Sequence, residues 1–178
     1  MSKIIRIDSL HFGDRHKCSA NGMGINIVVW FCGCDIRCSE YCHNKGYWDF
    51  DNPKFEDFSD KHVQTILLEM ESYYDIYSGL SILGGEPFAK KNIDDILMLC
   101  EKFKSSFPQK NIWIWSGHVY EWLRSQDDEY GNKIKHILDL CDFLVDGPFD
   151  INRRNVSLKF RGSDNQRIIN LKTGEVIE

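Results

Sequence analysis

Along this chain the hydrophobic positions fall into short solid runs and longer runs at helical spacing, in alternation. Ile25-Asn26-Ile27-Val28-Val29-Trp30-Phe31 is almost continuously β-branched or aromatic and follows a turn-like Asn21-Gly22-Met23-Gly24, so it predicts a buried strand. From Ser59, a candidate N-cap, Val63, Ile66, Leu67 and Met70 recur every three or four residues, which predicts a helix to about Tyr74. Gly79 to Leu83 is a second short strand. Asn92 is placed to cap a helix with the stripe Ile93, Ile96, Leu97, Cys100 and Phe103, ending before Pro108. Asn111 to Trp115 is a third strand. A less regular helical stretch covers about Val119 to Cys141, with a break expected near Tyr130-Gly131. Asp142 to Val145 is a fourth strand, and a hairpin is expected around Thr173-Gly174.

Strands alternating with helices in this way predict right-handed crossovers, hence an α/β fold with a mostly parallel sheet and helices on the outside. A closed eightfold barrel takes about 250 residues, more than the 178 present. The expected architecture is therefore an incomplete (partial) β/α barrel, the alternative being an open α/β sheet. One domain is expected over 1–178, with a cysteine-rich loop at 32–44 and a loop-rich tail at 147–178. In either architecture the site lies at the carboxyl ends of the strands. The residues there are Cys32-Gly33-Cys34, Gly84-Gly85-Glu86-Pro87, Ser116-Gly117 and Asp146-Gly147-Pro148.

Composition narrows the partner. The 22 Lys+Arg against 27 Asp+Glu leave a net charge of −5, which argues against nucleic-acid binding as the main task. No apolar run approaches the roughly 20 residues of a membrane span, and the charged start Met1-Ser2-Lys3-Ile4-Ile5-Arg6 has no signal-peptide core. A cytoplasmic protein is expected. Four of the seven cysteines crowd into 32–42, and in a reducing compartment such a crowd reads as metal ligation before disulfides. Soft thiolates select zinc, copper(I) or iron–sulfur clusters. Cys100 and Cys141 sit in apolar helical contexts and read as core residues. The two glycines of Gly84-Gly85-Glu86-Pro87 permit close backbone approach to a ligand, and Glu86 offers an acceptor to an ammonium.

Cys34-x3-Cys38 followed by Tyr41-Cys42, with Gly84-Gly85-Glu86-Pro87 two elements later, resembles the radical S-adenosylmethionine superfamily. Within it, Tyr41-Cys42-His43-Asn44 and Asn21-Gly22-Met23-Gly24 resemble the glycyl-radical-enzyme activases. Trp113-Ile114-Trp115-Ser116-Gly117, Asp146-Gly147-Pro148-Phe149 and the stretch Arg161 to Arg167 resemble those serving anaerobic (class III) ribonucleoside-triphosphate reductase. The likeness runs from about Asn21 to Arg167.

The resemblance implies that Cys34, Cys38 and Cys42 bind three irons of a [4Fe–4S] cluster whose fourth iron chelates S-adenosylmethionine. It places Tyr41 near the adenine, Gly84, Gly85 and Glu86 at the methionine ammonium, and Ser116 and Asp146 at the carboxylate or ribose. It implies reductive cleavage to methionine and a 5′-deoxyadenosyl radical, which takes hydrogen from a glycine in the large subunit of the reductase. An electron donor such as a flavodoxin is implied, and no acid–base dyad or nucleophile is needed.

Two positions depart from the family. The cysteines read C-x3-C-x3-C where the family has C-x3-C-x2-C, with Cys32 as a rival ligand that reads better as a buried strand-end thiol. Asn26 stands where these activases often carry arginine. The tail from Asp150 to Arg167 sets Arg153, Arg154, Lys159, Arg161 and Arg167 against two aspartates, a solvated face or a docking surface for the reductase. Trp30, Trp113 and Trp115 read as core. Two other functions fit parts of the pattern: a small-molecule radical enzyme such as a 7-carboxy-7-deazaguanine synthase, and a zinc-binding interaction module.

Overall fold

A computed structural model of the chain describes residues 1–10 and 20–177; Cys18 lies outside them. The strands are β1 (Lys3–Asp8), β2 (Asn26–Phe31), β3 (Glu56–Asp57), β4 (Gly79–Gly84), β5 (Asn111–Trp115), β6 (Phe143–Asp146) and β7 (Arg167–Asn170). The helices are α1 (Asp60–Ser72), α2 (Ile93–Ser106), α3 (Tyr120–Ser125) and α4 (Glu129–Leu140). The strands form one sheet in the order β3-β1-β2-β4-β5-β6-β7. β2, β4, β5 and β6 are parallel, as their intervening helices require.

The sheet is mixed rather than mostly parallel, and it is open. β1 runs antiparallel to β2 and β3, and β7 antiparallel to β6. The two edge strands, β3 and β7, are short, and the connection from β6 to β7 contains no α-helix to carry the chain back for parallel pairing. The helices cover one face. Ile112 and Ile114 of β5 join the large core with Val63 and Ile66 of α1, Ile96 and Phe103 of α2, and Ile134 and Leu138 of α4. Trp113 and Trp115, one residue out of phase, face the other side with Val145, Ile168 and Phe160 of the tail. That alternation puts the tail, not a helix, on the second face.

The break expected near Tyr130-Gly131 falls earlier, between α3 and α4. Asp128 accepts the Gly131 N–H at 2.8 Å and starts α4, so both residues lie inside the helix. The expected hairpin is present as a turn in which Asn170 N–H donates to Glu175 O at 2.9 Å. Asn26, wholly buried, donates to Asn21 O at 3.1 Å and Met23 O at 3.2 Å and so holds the turn before β2. Among the described residues no helix is long and apolar enough to cross a membrane.

Candidate metal and cofactor site

The carboxyl ends of β4, β5 and β6 and the loop after β2 line one cavity of about 590 Å³. Cys34, Cys38, Cys42, His43 and Asn44 form one side of it. Gly84, Gly85 and Glu86 meet them from β4, and Trp115, Ser116 and Gly117 from β5. The tail closes the outer wall with Phe149, Arg154, Asn155, Val156 and Phe160. Trp115, expected in the core, lines the cavity and donates from Nε1 to Phe160 O at 2.7 Å, holding the tail in place.

Backbone donors surround the three thiols. The backbone N–H groups of Ile36 and Arg37 favour the thiolate of Cys34, and that of Phe149 the thiolate of Cys38. Asn44 N–H donates to Cys42 Sγ at 3.4 Å. Arg37 takes φ 47° to make this turn, a left-handed conformation that costs about 1 kcal/mol. Such N–H donors favour a thiolate, whereas burial pushes the Cys34 thiol up to about 11 and raises Cys38 as well. Cys32 differs: it is 0% exposed, and its Sγ donates to Asp49 O at 2.9 Å and Tyr47 O at 3.3 Å, behind the cavity wall.

Backbone bonds tie the Gly84-Gly85-Glu86 loop to the root of the cysteine loop. Gly85 N–H donates to Phe31 O and Glu86 N–H to Gly33 O, both at 2.8 Å. No side chain fits there: a Cβ on Gly84 would lie 2.2 Å from Phe31 O, and one on Gly85 2.0 Å from Gly33 O. The Glu86 side chain, 1% exposed, turns inward. It accepts from Ser116 Oγ at 2.9 Å, Gly117 N–H at 2.9 Å and Phe88 N–H at 3.0 Å, bracing β4 against β5. Burial nevertheless pushes its carboxyl up to about 7. Asn92, read from the sequence as a helix cap, makes no cap bond. Its Nδ2 donates to Glu86 O at 2.9 Å and Cys32 O at 3.1 Å.

A profile of the 4Fe-4S single cluster domain matches residues 20–169. The chain belongs to that family. It is similar to the anaerobic ribonucleoside-triphosphate reductase-activating protein of Enterobacteria phage T4, 30% identical over 148 residues, 83% of this chain and 85% of the relative. It is similar too to the protein of the same name from Escherichia coli K12, 30% identical over 152 residues, 85% of this chain and 92% of the relative. A third such protein, from Pasteurella multocida, is 30% identical over 148 residues, 83% of this chain and 89% of the relative.

The residues present fit the single cluster of this family. Three thiols with N–H donors border one cavity, and thiolates are the soft donors that iron–sulfur clusters take. Other expected contacts are rearranged. Tyr41 is 69% exposed and does not line the cavity, since its neighbour Cys42 faces inward instead. Asp146 is 0% exposed and does not line it either, because its carboxylate is held by Tyr120 N–H at 2.7 Å and by the Arg167 guanidinium. Ser116 lines it, but its hydroxyl already donates to Glu86 and accepts from His118 N–H. Phe149 N–H and the Asn44 side chain, which donates to Gly84 O at 2.5 Å, join the site. Both stand in motifs quoted from the sequence, which gave neither residue a role.

Proposed function

We propose that this protein is a radical S-adenosylmethionine activase, a single domain over 1–178 arranged as an incomplete β/α barrel. It holds a [4Fe–4S] cluster on Cys34, Cys38 and Cys42 and binds S-adenosylmethionine in the adjoining cavity. Its target is a glycine of an anaerobic ribonucleoside-triphosphate reductase, and its electron comes from a donor such as a flavodoxin in the cytoplasm. The observation carrying this reading is that one cavity brings together the three thiols and the Gly84-Gly85-Glu86 loop. The names of the relatives supply the target.

A [4Fe–4S] cluster held by Cys34, Cys38 and Cys42 would supply the electron for reductive cleavage of S-adenosylmethionine to methionine and a 5′-deoxyadenosyl radical. The chain's own residues bind and orient. The Gly84-Gly85-Glu86 loop offers backbone carbonyls to the methionine ammonium; Gly84 O and Glu86 O already accept one bond each, from Asn44 and Asn92, and each keeps a second lone pair. The N–H groups of Ile36, Arg37, Asn44 and Phe149 hold the thiolates. Trp115, Phe149 and Phe160 give the cavity an apolar wall that excludes water. Val156, 81% exposed yet lining the cavity, marks the mouth through which the glycine enters, with Arg154 beside it.

Anaerobic purification with iron, sulfide and zinc analysis is the first test, and about four irons per chain is the expected content. Incubation with reductant, S-adenosylmethionine and an anaerobic reductase should then give an organic radical on the reductase by electron paramagnetic resonance. A colourless zinc protein, or cleavage of S-adenosylmethionine with no protein radical, overturns the reading.

A further inference from the structure

We propose that Asn92 is a positioning residue that locks the cysteine loop to the Gly84-Gly85-Glu86 loop, fixing the separation between the iron ligands and the ammonium acceptor. The proposal rests on the function given above.

An asparagine before a helix ordinarily spends its side-chain oxygen on the helix's free N–H groups. Asn92 does not: it has φ −99° and ψ −23°, and its side chain makes no cap bond. The amide is 0% exposed. Its two N–H bonds go to Glu86 O at 2.9 Å and Cys32 O at 3.1 Å, with Gly33 O further off at 3.5 Å. Its Oδ1 has no hydrogen-bond partner, so all of its bonding is on the donor side and is directed at two loops separated by more than fifty residues of sequence.

Burying an amide is costly unless its hydrogen bonds are made, and these are made only when both loops are in place. The platform is rigid, since Asn92 precedes α2, whose Ile93, Ile96, Leu99, Cys100 and Phe103 are all buried. The thiols are held by N–H groups of their own loop and of Phe149, none of them on Asn92. Two properties should therefore separate on substitution: iron binding, which belongs to the thiols, and S-adenosylmethionine affinity, which needs both loops in register.

The test compares wild type with Asn92→Leu, which fills the space without donating, and with Leu138→Ala, a core change in α4 that does not line the cavity. Iron and sulfide content, thermal unfolding, anaerobic equilibrium dialysis of S-adenosylmethionine and the spectrum of the reduced cluster with and without it are measured. Asn92→Leu should keep the iron content of wild type and bind S-adenosylmethionine about 10- to 100-fold more weakly, the range for residues that orient a ligand shell. Its cluster spectrum should not respond at a concentration that saturates wild type, while Leu138→Ala should lose stability and keep its affinity. Unchanged affinity in Asn92→Leu, or equal loss in both variants, overturns the proposal. If Asn92→Leu fails to hold iron, Asn92→Ala decides, since it removes both donors without crowding either loop and must give weakened affinity at full iron content; any other result overturns the proposal. Wild type that binds neither iron nor S-adenosylmethionine would sink the functional reading instead.

Discussion

Cys32 and Cys34 are two residues apart and face different surroundings: β2 ends at Phe31, Cys32 follows it directly, and Gly33, at φ 93°, turns the chain between them. Cys32 stays buried, its single S–H hydrogen bond shared between Asp49 O and Tyr47 O, whereas Cys34 has turned into the cavity. Cys32→Ala should therefore keep about four irons per chain, while Cys34→Ala, Cys38→Ala and Cys42→Ala each lose stable ligation; metal analysis of the four variants checks this. Gly85 is equally constrained. In Gly85→Ala the new methyl meets the Gly33 carbonyl, which must push the cysteine loop from the β4 end. Loss of S-adenosylmethionine binding with a lowered melting temperature is the expected result, and wild-type binding would show that the two loops can separate without consequence.

Between elements, the ion cluster of Asp146, Arg167 and Glu121 joins β6, β7 and α3. Arg167 Nε donates to Asp146 Oδ1 at 3.0 Å and its other nitrogens reach Glu121 at 2.8 and 3.0 Å. The side chain of Asp146 is 1% exposed, so its charge has no recourse to water if the arginine goes. Arg167→Ala should lower the unfolding free energy by about 3 kcal/mol, the scale for breaking a buried pair, as measured by denaturant titration. Arg167→Ala combined with Asp146→Asn should recover part of that loss, because no buried charge is then left alone. Glu121 is 65% exposed in its side chain, and its pairing adds little. These contacts anchor the end of the tail that walls the cavity, so a sequence motif first read as ligand contact acts as a joint in the frame.

At the scale of the whole molecule, the buried Glu86 brace makes stability depend on pH. Burial raises its carboxyl from an ordinary 4.5 to about 7, so the folded protein holds that proton more tightly than the unfolded chain does. The contribution is complete below the ordinary value and is lost as pH rises through about 7, with a slope of at most about 1.4 kcal/mol per pH unit in between. Unfolding of the metal-free protein between pH 5 and 8 should show this decline, and Glu86→Gln should flatten it. A stability that instead rose over that interval would mean that the three donors outweigh desolvation.

The parallel core, its helices and the four strand-end motifs were legible in the sequence because they depend on local periodicity and on a rule that places sites at the carboxyl ends of parallel strands. The thiols and the glycine pair were picked out as one site by the resemblance to a family, since residue type alone left a zinc site and an ordinary tight turn open. Only the tertiary structure decided which acceptors and donors are already committed to one another. The carboxylates of Glu86 and Asp146 and the amide of Asn92 are occupied by partners far away in sequence, and no local pattern encodes such pairings. The antiparallel edges were missed for a related reason: short strands such as β3 carry almost no periodicity, and their place is fixed by the neighbour they pair with.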